Sequence, residues 1–197
     1  MSIRQERRAA LREKLIEIAY AKIGVDGLHS VTARYLSGEA GCALGAIYNM
    51  FEDMNELFMA VNLRSFVALG EQVKSGLAGL DDATPHQELD AMAQQYIAYA
   101  MENTQHWLAM FEIEMTADSN APAHYQNALA SLLQIIAVSM AKVYPEKSPD
   151  EIAMITRTVF SSIHGIVLLG VQRRLSGVPE EELREMVRFL IFELGEA

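Results

Sequence analysis

The chain is 197 residues long and 51% hydrophobic, with 5 prolines and a formal net charge of −10. That composition excludes disordered and low-complexity classes, and the length suits one or two compact units with a substantial core. The single cysteine, Cys42, excludes an intramolecular disulfide framework and fits a reducing compartment. The opening M-S-I-R-Q-E-R-R lacks the apolar core of a secretory signal. The apolar run from Val159 to Val171, broken by serines and His164, falls short of the ~20 residues that a bilayer requires. A soluble, cytoplasmic protein is expected.

Charge is unevenly spread. Residues 1–50 carry seven Lys/Arg against five Asp/Glu, and residues 51–197 carry nine against twenty-one. Arg4, Arg7, Arg8, Arg12 and Lys14 crowd the first helix, so a polyanion contact is expected at the N-terminal end of an acidic body.

Helical periodicity runs nearly throughout, and no alternating strand pattern appears. Leu11, Leu15, Ile18 and Ala19 mark the buried stripe of a first helix, which the Gly24–Gly27 region stops. Thr32 suits the N-cap of a second helix reaching Glu39. A short third helix covers about Ala43 to Asn49, and a fourth runs from about Asp53 toward Gly76–Gly79. Thr84-Pro85 opens a fifth that continues to about Asn103, with proline in the first turn where it is favoured. Thr104 is expected to cap a sixth that ends before Asp118, and Ala121-Pro122 to start a seventh ending near Tyr144-Pro145. Ser148, Pro149 and Glu151 give a capping serine, a proline at N1 and a glutamate at N3 for an eighth helix reaching about Leu175. Acidic Glu180 to Glu182 open the ninth.

The stretch T-A-R-Y-L-S-G-E-A-G-C-A-L-G-A-I-Y-N-M-F, from Thr32 to Phe51, reads as two short helices joined by a tight turn. Leu36, Ala40, Ile47 and Phe51 supply buried anchors, and Gly41 supplies the positive φ of the corner. The second of these helices has the size to enter a DNA major groove. From this stretch a helix-turn-helix DNA-binding regulator is expected.

The last two helices carry more apolar surface than one core needs. In the eighth, Ile152, Ile155, Val159, Ser162, Ile166 and Leu169 form one line, and Met154, Thr158, Ser161, Gly165 and Leu168 form a second. Leu183, Met186, Val187, Phe189, Leu190, Ile191, Phe192 and Leu194 follow in the ninth. The pair is read as half of an intersubunit four-helix bundle in a homodimer.

The first fifty-odd positions resemble the DNA-binding domain of the tetracycline-repressor (TetR) family of bacterial regulators. The matching residues are T-x-x-x-L at Thr32–Leu36, Ala40-Gly41, G-x-[IL]-Y at Gly45–Tyr48, Phe51, and Asn55-Glu56-Leu57. Nine helices with a long terminal pair resemble the same architecture, and Ile163-His164-Gly165 is similar to a small motif in one set of the family's ligand domains. The resemblance implies an all-α protein. Residues 1–52 would be a three-helix helix-turn-helix domain, and residues 53–197 a larger helical domain for ligand binding and dimerisation.

Carried over by position, the resemblance gives Thr32 and Tyr48 to the DNA backbone, and Arg34 to a guanine edge. Leu44, Ala46 and Asn49 would face the groove, and Gly45 would let the helix backbone come close to the DNA. The sequence departs from the family at Leu44, where Lys or Arg is frequent. It departs again at Ala43, where a capping Ser is usual, and at Met54, where a lysine commonly grips phosphate. Each lost cation flattens the salt dependence of binding.

For an effector site the resemblance points to the larger domain. Met92, Tyr96, Trp107, Met110, Phe111, Glu114, Phe160 and His164 are the candidate lining: aromatic and methionine walls with a few polar groups. The same residues also suit an ordinary core. Metal and catalytic chemistry find little support. His29, His86, His106, His124 and His164 are scattered without i+4 partners, and no phosphate loop, nucleophile elbow or dinucleotide fingerprint occurs, so no cofactor is expected. The expected protein is a non-enzymatic regulator of double-stranded DNA at a palindromic operator, a repressor released by a small apolar or amphipathic effector. The alternative is a helical ligand-binding or protein-interaction module with a vestigial DNA-binding head.

Overall fold

The structure, a computed structural model, describes residues 2–113, 121–172 and 178–194. Among the described residues it is all-helical. The elements are α1 (Ile3–Asp26), a 3-10 turn (Leu28–Ser30), α2 (Ala33–Ala40), α3 (Leu44–Tyr48), α4 (Met54–Ser75), α5 (Pro85–Glu102), α6 (Thr104–Glu112), α7 (Ala123–Val143), α8 (Pro149–Val171) and α9 (Glu180–Phe192). They divide into two compact units, Met1–Phe66 with Asn103–Tyr125, and Val67–Glu102 with Gln126–Ala197.

In the first unit, α1 begins with a capping box in which Ser2 and Gln5 satisfy each other's backbone N–H. It ends at Gly27, whose φ of 80° is closed to most side chains. Its inward stripe is Leu15, Ile16, Ala19 and Ile23, with Leu11 and Ile18 half-buried at its margin. The Thr32 hydroxyl accepts from the Tyr35 N–H at 3.1 Å and starts α2. The corner after α2 is a Schellman motif. Gly41 sits at φ 68°, ψ 37°; its N–H donates to the Gly38 carbonyl and the Cys42 N–H to that of Ser37. Leu36, Ala40, Ile47 and Phe51 close over α1 as one apolar core that also takes in Leu57, Val61 and Ala109.

Helix α6 docks on α1 through a histidine. The His106 ring stacks on Tyr20 with centroids 4.0 Å apart, and its Nε2–H donates to the Tyr20 carbonyl at 2.9 Å. The approach needs a glycine beneath it, since a Cβ on Gly24 would fall 2.6 Å from His106 Cε1. Asn103, rather than Thr104, occupies the N-cap of α6, because its carbonyl receives the Trp107 N–H that opens the helix.

In the second unit α5, α8 and α9 pack on one another. Leu89, Met92, Ala93, Tyr96 and Ile97 face inward from α5, and Leu183, Val187 and Ile191 from α9. Ser148 and Glu151 form the expected capping box of α8 with proline in the first turn. The expected reach of α8 to Leu175 falls outside the described residues; Gln172 is its C-cap. Within the protomer the buried line of α8 is Ile152, Thr156, Val159, Ile163 and Val167, whereas Ser162 and Leu169 of the first expected line are exposed. Helix pitch explains the difference. At about 100° per residue Leu169 lies about 100° round the helix from Ile152, whereas Val167 lies about 60° away. Helices α7 and α8 are each long and apolar enough, by length and composition, to cross a bilayer. The Val159–Val171 run is thus the end of a longer apolar helix.

A charged tie fastens α5 to α7. The Glu88 carboxylate accepts from the buried Ser139 hydroxyl at 2.6 Å and from Lys142 Nζ at 2.6 Å. These two partners hold its carboxyl below the usual range. Glu88→Gln is expected to lower stability by about 1 kcal/mol, the half-exposed lysine being screened by water. Because the folded pKa is depressed, this contribution is present above the ordinary value and lost as pH falls below it. Urea melts at pH 7 and pH 3 should therefore separate the variant from the natural protein only at pH 7.

Candidate DNA interface and effector site

The candidate DNA-facing surface is built by burying one side of a very short helix. Ile47 and Phe51 are sunk in the core of the first unit, which turns Leu44, Gly45, Tyr48 and Asn49 to solvent. Leu44 and Tyr48 are 49% and 55% exposed, large values for apolar and aromatic side chains. Ala46 is half-buried and Arg34 exposed on α2. A Cβ on Gly45 would meet nothing within 4 Å, so the protein's own packing does not require glycine there. The Thr32 oxygen, assigned by resemblance to the DNA backbone, also serves as the cap of α2. Ala43 caps α3 with no side-chain bond, leaving the helix's first N–H groups without a side-chain acceptor.

Three of the α1 cations have partners within the protein itself. Arg8 Nη2 donates to the Asn49 carbonyl at 2.9 Å, and Lys14 Nζ donates to the Ala40 carbonyl at 2.9 Å. Each places a positive charge on the carbonyl end of a helix, α3 and α2 respectively, where the helix dipole favours it. Arg12 lies over the Phe51 ring at 4.8 Å and 3.7 Å from Glu56. Three of the five basic residues in this cluster therefore brace the helix-turn-helix from within. Sequence reading missed these roles, because partners 26 to 44 residues away leave no local signature.

The candidate effector residues fall into separate groups. In the second unit Tyr96, Phe160 and His164 form one cluster. Tyr96 Oη lies 2.7 Å from His164 Nδ1, the Tyr96 and Phe160 rings meet edge-on at 5.8 Å, and Phe160 and His164 stack at 5.9 Å. Met92 is buried one turn before Tyr96. In the first unit Trp107 is fully buried and meets the Phe111 ring edge-on at 5.5 Å; Met110 is buried and Phe111 exposed. Glu114 lies outside the described residues.

Burial lowers the His164 pKa below its usual 6.5. A neutral imidazole can accept the Tyr96 O–H at Nδ1, with the ring hydrogen on Nε2. The sign of the pH effect follows. Below about 6.5 the unfolded chain binds a proton that the folded chain refuses, so stability falls as pH drops from there toward the folded pKa. Thermal melts between pH 7.5 and pH 5.5 are expected to show that fall, and His164→Asn to flatten it.

Among the described residues the protein is all-helical, with a helix-turn-helix head whose short second helix, α3, turns one side to solvent. Residues 89–194 match the family described as "Tetracyclin repressor-like, C-terminal domain", and the chain belongs to the TetR family of transcriptional regulators. The regulator BetI of Serratia proteamaculans is 26% identical over 145 residues, 67% of this chain and 72% of that protein. A solved TetR-family regulator from Shewanella sp. PV-4 superposes with a TM-score of 0.62 at 17% identity, covering 94% of this chain and 95% of that one. RolR in complex with resorcinol superposes with a TM-score of 0.68 at 19% identity, covering 97% and 90%. At these identities the solved structures show a shared fold.

Proposed function

We propose that this chain is a homodimeric repressor whose hold on a palindromic operator is released by a small apolar or amphipathic effector. Residues 1–52 read the DNA, and residues 53–197 hold the effector and the subunit contact through α8 and α9. The observation that carries this reading is the division of α3, which buries Ile47 and presents Leu44, Gly45, Tyr48 and Asn49 outward. Tyr48 donates to a phosphate, Arg34 reads a guanine edge, Asn49 an adenine, and Leu44 and Ala46 touch thymine methyls. Effector binding favours a dimer whose recognition helices no longer match major grooves ~34 Å apart, which requires the effector to bind the two dimer states unequally. As a regulator of this family the protein is soluble and cytoplasmic, and the apolar length of α7 and α8 serves its core and subunit contact.

A helical module with a vestigial head is the second reading. It is favoured by the internal engagement of Arg8 and Lys14 together with the absence of cations at Leu44 and Met54. Affinity capture of sheared genomic DNA from the source organism at low salt, followed by sequencing, separates the two. An enriched palindrome is expected. A folded dimer that enriches no sequence would remove the repressor reading and leave the module.

A further inference from the structure

The first turns of α1 overhang the head. Residues 2–10 are all exposed, Ile3 by 70%, and burial begins only at Leu11. The capping box of Ser2 with Gln5 and the helix-favouring Ala9 and Ala10 hold these turns without packing. The overhang is also the basic end of an acidic chain, since residues 2–10 carry Arg4, Arg7 and Arg8 against Glu6 alone. Positions 4, 8, 11 and 15 follow one another at helical spacing and share one stripe of α1. On that stripe Leu15 is fully buried and Leu11 half-buried. Arg8 comes next, donating from Nη2 to the Asn49 carbonyl at the C-terminal end of α3. Arg4 continues the stripe one turn, about 6 Å, beyond that contact. Arg7 lies about 60° round the helix from Arg4, and Glu6 about 160° from it. Arg8, Arg12 and Lys14 are engaged within the head, whereas Arg4 and Arg7 have no hydrogen bond or ion pair among the described residues.

We propose that this overhang grips the DNA backbone flanking the half-site, with Arg4 and Arg7 on phosphates and Arg8 fixing its direction. The inference rests on the DNA-reading proposal above and adds to it a contact outside the groove. Helix α3 carries no cation and, at five residues, is about 7.5 Å long against a groove ~12 Å wide. Its hold on a polyanion therefore needs charge from a neighbouring element. A phosphate backbone is the occupant that the charges select. Two unpaired guanidinium groups stand out from a chain of net charge −10, one turn past the end of the helix that enters the groove.

The test is fluorescence anisotropy of the full-length protein with a labelled random-sequence DNA duplex, between about 50 and 200 mM salt. Arg4→Ala combined with Arg7→Ala is expected to weaken binding about 10- to 100-fold at the low-salt end. The same pair should flatten the log–log slope by about 1.8, the share of two phosphates. Arg4→Lys with Arg7→Lys should keep the slope, because an ammonium also neutralises a phosphate. Thermal melts should be unchanged in both pairs, the side chains being exposed. An unchanged slope in the alanine pair, while the natural protein binds, overturns the grip and leaves the DNA reading standing. Failure of the natural protein to bind at all removes that reading and the grip with it. On an operator from genomic capture, hydroxyl-radical footprinting should find the outermost backbone of each half-site protected by the natural protein and open in the alanine pair. Protection unchanged there would equally overturn the grip.

Discussion

Phe189→Asp is expected to yield a folded monomer that has lost most of its hold on an operator. Phe189 is 69% exposed on α9, and Met186 and Phe192 beside it are also exposed, as are Met154 and Leu169 on α8. Within one protomer the substitution therefore removes little buried surface, and helicity should persist. In a two-fold dimer each change counts twice, because the same patch meets its own copy. Burying a Phe side chain stabilises by roughly 1.5–3 kcal/mol, and an unpaired carboxylate in its place adds a desolvation penalty. The combined loss raises the dimer Kd by at least ~100-fold, to be read by sedimentation velocity. Operator affinity should then fall by a further factor on the order of 10²–10⁴, because joining two half-site readers makes the second binding step intramolecular. A variant that remained dimeric at micromolar concentration would move the subunit contact away from this face.

What was legible in the sequence was mainly local. Thr32, Gly41, Ser148 and Glu151 act within four residues of themselves, and each occupies the cap or corner that its chemistry demands. The core of the head was legible for the same reason, since Leu36, Ala40, Ile47 and Phe51 lie within one short stretch whose periodicity leaves little choice of face. Helix α8 was harder. It is apolar on most sides, so periodicity gave several candidate lines, and only packing against α5 and α9 selected Thr156, Ile163 and Val167. The long-range pairs were not legible at all. Arg8 meets a carbonyl 41 residues away, Tyr96 and His164 are 68 apart, and Asn62 is 47 from Ala109. Polar residues of these types are common on solvated helix faces, and only tertiary structure shows which of them are engaged.

Arg34→Ala combined with Tyr48→Phe is expected to lower operator affinity by about 30- to 700-fold, with stability little changed because both side chains are exposed. A bidentate arginine–guanine contact contributes about 1–3 kcal/mol and a phosphate hydrogen bond about 1 kcal/mol, each 1.4 kcal/mol being tenfold. The salt dependence then separates the roles. Tyr48→Phe removes no charge and should leave the log–log slope unchanged. Arg34→Ala should change it little if Arg34 reads a base edge, and by about 0.9 if it neutralises a phosphate. Arg8→Ala is the informative third variant, since its guanidinium is already held by the Asn49 carbonyl. It should weaken operator binding more than non-specific binding, with the slope intact, because it releases the end of α3 without removing a phosphate contact. A slope reduced by about 0.9 would instead show that Arg8 leaves Asn49 for the DNA backbone on binding. In that case the α1 cations would replace the phosphate contacts that Leu44 and Met54 cannot make.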